Sequence, residues 1–323
     1  MEEQAKEIVE QAAKKLSKNK IVGIIVALVG VVFAILELLG FDAYDTVYEF
    51  LGLKEKPIDV DCELAVHFID VGQGDCQLII SGDDVVLIDG GEKSNAADVC
   101  AYLDSHDIER IDYLIATHPH SDHIGSLPIV IESFEIGTVI APNLPSELIP
   151  ASTCYIDFLQ AVRDKDLSIT SAKCGDEYIL DGGTVLQILG PVEFDEELNN
   201  ASVICRILHG ENSFLFTGDA EKSAEKALLE SGAYLYSDVL KVGHHGSPYS
   251  SCREFLEAVS PEVAVISVGT DNDYGHPGDD VVERIEVHTD RIYRTDFHGT
   301  VVIGSDGTSL TIVTENTVNS ITE

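Results

Sequence analysis

The sequence predicts a layered α/β domain, with two sheets covered by helices, behind a single N-terminal transmembrane helix. From Leu64 onward, short β-rich runs bounded by Gly and Asp alternate with helical segments. The later part of the chain consists of β-α-β units, whose strands pair in one sheet and place their helices outside it. Residues 21–40 form one apolar run. The 323 residues suffice for an anchor and one large domain.

The apolar run IVGIIVALVGVVFAILELLG predicts a membrane-spanning helix at residues 21–39. A buried core helix or an interfacial hairpin is the alternative interpretation. Four lysines precede the run and acidic residues follow it, so we expect a cytoplasmic N-terminus and an extracytoplasmic domain on a single-pass protein of the cell membrane. The predicted segments are a charged cytoplasmic stretch at 1–20, the span at 21–39, a juxtamembrane linker at 40–60 and a globular domain at 61–323.

The elements of the globular domain are predicted from alternating apolar residues, turn residues and helical periodicity. Strands are predicted at 64–71, 76–81, 84–91, 112–118, 138–143, 184–191, 201–210, 212–219, 238–243, 262–269, 291–295, 299–304 and 308–314. Helices are predicted at 95–105, 124–134, 220–231, 251–259 and 279–288. Residues 143–180 are rich in loops and give the weakest pattern.

The charge of the chain is strongly acidic. It has 57 acidic and 20 basic residues, a formal net charge of −37, and residues 57–323 hold only 13 of the bases. A protein that mainly grips nucleic acid through its phosphates needs a basic surface, so this class is disfavoured. The charge is explained either by adaptation to a salty or crowded environment or by a preference for cationic or neutral substrates.

The seven cysteines are scattered and form no CxxC pair. Cys76 and Cys205 lie in apolar strands, where the default role is that of a small buried hydrophobe. Cys154 and Cys174 could pair outside the cell, and the sequence leaves that open.

The segment His118-Pro119-His120-Ser121-Asp122-His123 carries the clearest chemical signal. Three imidazoles and a carboxylate follow directly on a strand that ends at Thr117. Imidazole and carboxylate suit divalent transition metals, and four such groups in one tight loop can converge on one or two ions. A polar loop with coincidental histidines is the alternative.

Six further motifs accompany this loop. They are FIDVGQGDCQLI (68–79), LIDGG (87–91), NNASVICRI (199–207), LFTGDAE (215–221), LKVGHHGS (240–247) and ISVGTDNDYGHP (266–277). Together with HxHxDH, they resemble the metallo-β-lactamase-fold hydrolases, and in particular the extracellular hydrolase domain of ComEC-type competence proteins and its stand-alone, membrane-anchored relatives. The resemblance covers about 64–304. It implies an αββα sandwich for 61–323 and a site for two divalent metal ions, zinc first and manganese second.

The resemblance also implies roles for individual residues. His118 and His120 would hold one metal, Asp122 and His123 the second, and Asp219 would bridge them, with His244 or His245 completing the second site. The implied metal ligands are His118, His120, Asp122, His123, Asp219 and His245. The implied catalytic groups are Asp122, His244 and His276. The residues implied to bind substrate or to orient the metal ligands are Asp70, Gln73, Asp89, Asn200 and Ser247.

The chain departs from the family pattern at one position. Many members have another histidine before the TGD hairpin, where this chain has Asn199-Asn200-Ala201-Ser202. We therefore expect water, Asn200 or substrate to complete the first metal site. The nearest histidine before the hairpin is His209, which we expect at the surface.

The resemblance implies a membrane-anchored phosphodiesterase or nuclease-type hydrolase. A small or short phosphodiester is expected as substrate rather than long nucleic acid, because few bases lie near the motifs. Two alternatives stay open. The same site could hydrolyse another ester, a lactone or an amide, as a phosphorylcholine esterase does, or the domain could be a tethered, non-catalytic binding module.

Overall fold

The computed structural model describes residues 58–316, and two sheets organise them. The first sheet has the spatial order β15 (Leu310–Thr314), β14 (Val301–Ser305), β1 (Leu64–Phe68), β2 (Gln77–Ser81), β3 (Asp84–Ile88), β4 (Arg110–Ile115), β5 (Glu135–Ala141) and β6 (Ile169–Ser171). The second has the order β13 (Ile292–Arg294), β12 (Val263–Ile266), β11 (Val239–Lys241), β10 (Asn212–Phe216), β9 (Ile204–His209), β8 (Val185–Gly190) and β7 (Glu177–Ile179).

Helices lie on the outer face of each sheet. They are α1 (Ala96–Ser105), α2 (Ser121–Ile124), α3 (Leu127–Ser133), α4 (Thr153–Asp164), α5 (Lys222–Glu230), α6 (Arg253–Val259), α7 (Asp279–Glu286) and the short α8 (Thr295–His298). None of the helices between residues 58 and 316 is both long and apolar enough to cross a membrane. The predicted span at 21–39 lies outside the described residues.

Three apolar clusters hold the layers together. On β3, Val86 and Ile88 point into the cluster between the two sheets, while Val85 and Leu87 point into the cluster under the helices of the first sheet. This alternation follows from the two-residue period of a strand. A third cluster joins the second sheet to α5, α6 and α7. The predicted α/β sandwich, with two sheets between helical layers, is confirmed.

Two helical regions differ from their predictions. The helix predicted at 124–134 is split into α2 and α3, because Pro128 lacks the N–H that a continuous helix needs at that position. The loop-rich region 143–180 contains α4. Its buried Phe158 and Val162 have helical spacing, but the exposed Ile156 and Leu159 on other faces obscure the apolar stripe.

His209 is buried, so its predicted surface position is wrong. Its side chain packs beside β14, and its Nδ1 lies 2.9 Å from the Ser305 hydroxyl. This polar contact joins the end of β9 to the other sheet, which a prediction from one strand alone could not show. Cys76 and Cys205 are buried as predicted, and all seven cysteines are free.

Candidate metal centre

The candidate site lies where parallel strands end. β3 pairs in parallel with β4, and β10, β11 and β12 are parallel to one another. Asp89 follows β3, the histidine-rich loop follows β4, Asp219 follows β10, and His244 and His245 follow β11. Because the carboxyl ends of parallel strands meet at one edge of a sheet, segments far apart in sequence converge there.

Four predicted metal ligands form one compact cluster. Asp122, His123, Asp219 and His245 each offer one ligand atom, and these atoms all lie within 4.8 Å of one another. His123 Nε2 is 3.2 Å from Asp219 Oδ1, and His245 Nε2 is 3.3 Å from Asp122 Oδ2. Of the two adjacent histidines that the sequence left undecided, His245 is therefore the one that joins the cluster.

The other two predicted ligands stand beside this cluster. His118 Nε2 and His120 Nδ1 are 3.0 Å apart, and His118 Nε2 is 3.8 Å from Asp219 Oδ2. Asp219 Oδ1 lies 3.2 Å from His123, and Oδ2 lies 3.6 Å from His245 and 3.8 Å from both His118 and His244. The carboxylate therefore lies between the cluster of four and the His118–His120 pair.

Buried hydrogen bonds fix the orientation of the imidazoles. His123 Nδ1 donates to Asp89 at 2.8 Å, and Asp89 also accepts bonds from the backbone N–H and hydroxyl of Thr117. His245 Nδ1 lies 2.9 Å from the carbonyl oxygen of Ser267, which can only accept. Both histidines are therefore held through Nδ1 and turn Nε2 into the cluster, the usual arrangement of metal-binding histidines.

The residues fit divalent metal ions. Within residues 58–316, His123 Nε2 and Asp219 Oδ1 are buried but have no hydrogen-bond partner. Buried polar atoms are normally paired or coordinate a metal. Imidazole nitrogens and carboxylate oxygens together suit transition-metal ions. The cluster of four can hold one ion.

Without a metal ion, protonation is favoured at two of the imidazoles. Burial alone would lower the pKa of His123 and His245, but Asp219 and the other carboxylates around them raise it, so an ion would displace a proton from Nε2 of each ring. Burial alone would raise the pKa of Asp219, but the imidazoles of His123 and His245 hold it well below its usual range. Burial lowers the pKa of His118 well below its usual value, and the neighbouring His123 lowers it further. At neutral pH the carboxylate is therefore ionised and the His118 imidazole neutral, as metal ligands must be.

A cleft of about 330 Å³ opens onto the cluster. It is lined by Gln73, His120, Ser121, Asp122, Asn199, Asp219, His244, His245, Tyr274 and His276. The three predicted catalytic groups, Asp122, His244 and His276, all line this cleft. The ring centroids of His244 and His276 are 5.6 Å apart. Tyr274, exposed by 72%, stacks on His276 at the rim with an interplanar angle of 23°.

The backbone at the two adjacent histidines is strained. His244 has φ 49° and His245 has φ 52°, a left-handed conformation that costs free energy in residues other than glycine. The strained turn sends the two side chains in different directions. His245 enters the buried cluster, while His244 is partly exposed in the cleft, with its Nδ1 3.3 Å from Glu221 Oε1.

Three residues that the sequence assigned to the site do not reach the cleft. The exposed carboxylate of Asp70 accepts a hydrogen bond from the Gly72 N–H at 3.0 Å, so it caps a turn. The side-chain oxygen of Asn200 accepts from the Glu221 N–H at 3.0 Å and is not available to complete a metal site. Ser247 is buried beneath the strained turn. The structure does bring Gln73 into the cleft and Asp89 against His123.

The sequence did not indicate several other residues of the site. Asn199, rather than its neighbour Asn200, lines the cleft, as do Ser121 and Tyr274. Lys241 is buried and forms an ion pair with Asp75, whose carboxylate lies 3.6 Å from His245 Nδ1. The sequence feature that could have indicated a buried Lys241 is its position as the single lysine in the apolar run VLKV. A strand at the surface can contain the same pattern.

Comparisons with known proteins agree with this architecture. The family model described as Metallo-beta-lactamase superfamily matches residues 69–270. The chain is 32% identical over 256 residues to "ComE operon protein 3" of Bacillus subtilis (strain 168), covering 73% of this chain and 32% of the relative. It is 32% identical over 245 residues to "Competence protein ComA" of Neisseria gonorrhoeae, and this match covers 75% of this chain and 32% of that relative.

A third relative extends the match along this chain. "Recombination protein 2" of Haemophilus influenzae (strain ATCC 51907 / DSM 11121 / KW20 / Rd) is 28% identical over 295 residues, covering 90% of this chain and 33% of the relative. The matches thus span only 32–33% of the relatives' own lengths. They confirm the resemblance to ComEC-type competence proteins.

Proposed function

The chain belongs to the metallo-beta-lactamase superfamily of metal-dependent hydrolases, and we propose that its site hydrolyses phosphodiesters with two divalent ions. The observation that carries this proposal is the placement of Asp219. Its carboxylate lies between the cluster of four and the His118–His120 pair. Carboxylates that bridge two ions, about 3.5–4 Å apart, are typical of phosphatases and nucleases.

The geometry supports one division of the proposed ligands between the two ions. His118 and His120 would hold one ion, Asp122, His123 and His245 the other, and Asp219 both. Zinc suits this set best and manganese second. When bound, such ions neutralise phosphate oxygens and lower the pKa of water.

Side chains in the cleft would carry the proton transfers. Asp122 lies between the buried cluster and the cleft, where it can orient the attacking water by accepting its hydrogen. His244 has Nδ1 3.3 Å from Glu221 Oε1 and Nε2 3.8 Å from Asp219 Oδ2, and its imidazolium form would donate the Nε2 proton to the leaving oxygen. Burial and His244 lower the pKa of His276 to about 4, so His276 is neutral at pH 7 and binds the substrate by hydrogen bonding.

Hydrolysis of bis(p-nitrophenyl) phosphate tests the proposal. We expect the purified full chain to carry one to two equivalents of transition metal, to lose turnover on chelation and to regain it with zinc or manganese. Parallel assays with ester, lactone and amide substrates separate the other hydrolase reactions. A protein that binds no metal and stays inactive on every substrate after zinc or manganese is added would refute the proposal, and metal binding without turnover would favour a binding module.

The substrate we propose is small or short. The cleft of the described domain is lined by no Lys or Arg. The basic residues near the motifs are engaged elsewhere: Lys93 pairs with Asp157, Lys222 donates to a backbone carbonyl, and Lys241 is buried. A long polyanion would therefore meet a negative surface with no basic track. Relatives named for competence and recombination favour nucleotide or oligonucleotide phosphodiesters.

One observation favours a second candidate substrate. Tyr274 presents an exposed ring at the rim of an acidic cleft, and such a ring can bind a quaternary ammonium group. A choline phosphodiester would place its cationic head there. A screen in which products are identified, with dinucleotides, DNA, RNA and choline phosphodiesters, distinguishes the two substrates.

Substrate length should change the rate in a salt-dependent way. At low ionic strength we expect kcat/KM for a dinucleotide to exceed that for long duplex DNA, because the net charge of −37 repels a polyanion. Added salt should narrow the difference, since the Debye length falls to about 8 Å at physiological ionic strength. Steady-state kinetics across a salt series measure this. A higher rate on long DNA that decreases with salt would reveal a basic track and contradict the prediction.

We also propose that residues 21–39 anchor the domain in the cell membrane, with the N-terminus in the cytoplasm. The support is the apolar run itself, with lysines before it and acidic residues after it. Protease added to intact cells should then digest the domain. If the folded domain were instead protected from the protease, the opposite orientation in the membrane would be indicated.

A further inference from the structure

A second cluster of metal-binding side chains lies away from the cleft. Asp59, His67 and His106 each offer one ligand atom, and these atoms lie within 4.8 Å of one another. The cluster shares no residue with the centre at the strand ends. We propose that it binds a divalent transition-metal ion of the zinc class, which ties the segment before β1 to the end of α1.

The buried imidazole of His67 supplies the strongest evidence. His67 lies in the middle of β1 with its side chain 0% exposed, and its Nε2 has no hydrogen-bond partner among residues 58–316. The nearest carboxylate oxygen, Asp59 Oδ1, is 3.8 Å away, too far for a hydrogen bond. Leaving such an atom without a partner costs about 1–3 kcal/mol. His67 Nε2 is therefore available to bind a ligand such as a metal ion.

The other ring nitrogen of His67 is held. Nδ1 lies 2.9 Å from the Tyr102 hydroxyl on α1, which can accept its proton. A histidine that donates from Nδ1 presents the Nε2 lone pair, as metal-binding histidines do. Burial and the neighbouring His106 lower the pKa of His67 to about 3, so the ring is neutral at pH 7.

His106 is oriented in the same way. It ends α1, and its Nδ1 lies 2.9 Å from the backbone carbonyl oxygen of Tyr102. Nε2 lies 3.3 Å from the carbonyl oxygen of Ile58, the longer of the two contacts. An ion at Nε2 would replace this contact, while the shorter contact at Nδ1 would keep the ring in place.

The donor set indicates the class of ion. Two imidazole nitrogens and the Asp59 carboxylate make three donors from three segments. Two imidazoles and a carboxylate match the preference of zinc, which takes water as a fourth ligand, whereas calcium and magnesium prefer oxygen donors alone. Asp59 is exposed, which leaves a path for the ion to enter.

Such an ion would act on stability rather than on catalysis. It would link the segment at 58–59 to β1 through His67 and to the end of α1 through His106. An ion that binds only the folded state stabilises it by mass action. We therefore expect the melting temperature to rise with zinc in a way that depends on this cluster.

Zinc counting on the full chain tests the proposal. The variants are Asp59→Ala and His106→Gln, and the matched control is Asp61→Ala, an exposed aspartate two residues further along. After equilibrium dialysis at micromolar free zinc, elemental analysis should find one equivalent fewer in Asp59→Ala and His106→Gln than in the wild type. Asp61→Ala should match the wild type. Zinc should raise the melting temperature of the wild type more than that of Asp59→Ala.

Asp59→Ala should fold, because within residues 58–316 the Asp59 side chain hydrogen-bonds only to the backbone N–H of Val60. It therefore decides the test even if His106→Gln is unstable. Because the variants are compared with the wild type, the result does not depend on how many ions the catalytic centre holds. Equal zinc content and equal zinc-dependent melting in all four proteins would overturn the proposal.

Discussion

Asp219→Asn is expected to lower turnover of bis(p-nitrophenyl) phosphate on the order of 10³-fold and to reduce the bound metal. The carboxylate faces His118, His123 and His245, so the amide removes negative charge from both proposed metal sites. Charge stabilisation by bound ions is worth several kcal/mol, and each 1.36 kcal/mol is tenfold in rate. Steady-state kinetics and elemental analysis of the same preparation measure the two effects.

The substitution keeps the local fold. The backbone N–H of Asp219 bonds to the Ser202 hydroxyl at 3.0 Å, and asparagine retains that bond. Asp290→Asn is the matched control, since it makes the same change at an exposed aspartate between α7 and β13. The control should keep wild-type turnover and metal content. An Asp219→Asn protein with full metal content and a rate within tenfold of the wild type would remove Asp219 from the centre.

The part of the metal centre that is formed by residues close together in sequence could be predicted from the sequence. Four of the proposed ligands lie within His118–His123, and six consecutive residues stay close together whatever their local conformation, so their proximity needed no tertiary knowledge. Asp219 was identified through the resemblance of LFTGDAE to the family motif, since a position shortly after an apolar strand does not by itself single it out. The alternation of apolar residues on strands such as β3 likewise predicted the sheets and their two buried faces.

Contacts between distant segments were not readable in this way. The choice between His244 and His245 depends on the carbonyl of Ser267, 22 residues further on, which accepts from His245 Nδ1. The direction of Asn200 depends on Glu221, whose N–H its side chain caps. The first contact joins the segments that follow β11 and β12, and the second joins the segments that precede β9 and follow β10. No period or spacing in one segment encodes those contacts.

Lys241 is the strongest example of such a contact. Its side chain is 1% exposed, and its ammonium pairs with Asp75 and donates to the carbonyl oxygen of Gly218, the residue before Asp219. Asp75 in turn lies on the loop that follows β1. Its neighbour Gly74 has φ 154°, and a Cβ there would lie 2.4 Å from the Asp122 carbonyl oxygen. The buried pair therefore joins the loops that carry Asp122 and Asp219.

Breaking this pair should destabilise the domain strongly. Lys241→Met keeps the length of the side chain but leaves the Asp75 carboxylate buried without its partner. Removing one member of a buried ion pair costs about 3–5 kcal/mol. For a domain of this size that corresponds to a fall in melting temperature of about 10 °C. Thermal and denaturant unfolding of the metal-free protein measure the loss without a contribution from bound ions.

A double-mutant comparison separates the charge from the packing. Asp75→Asn combined with Lys241→Met removes both charges, so it should recover much of the stability that Lys241→Met alone loses. Lys226→Met is the matched control, because Lys226 pairs with Glu230 at 3.6 Å on an exposed helix face, where such pairs contribute about 1 kcal/mol or less. A loss for Lys241→Met no larger than that for Lys226→Met would show that the buried pair does not hold the two loops together. A double variant no more stable than Lys241→Met would assign the loss to packing around the lysine stem rather than to the stranded carboxylate.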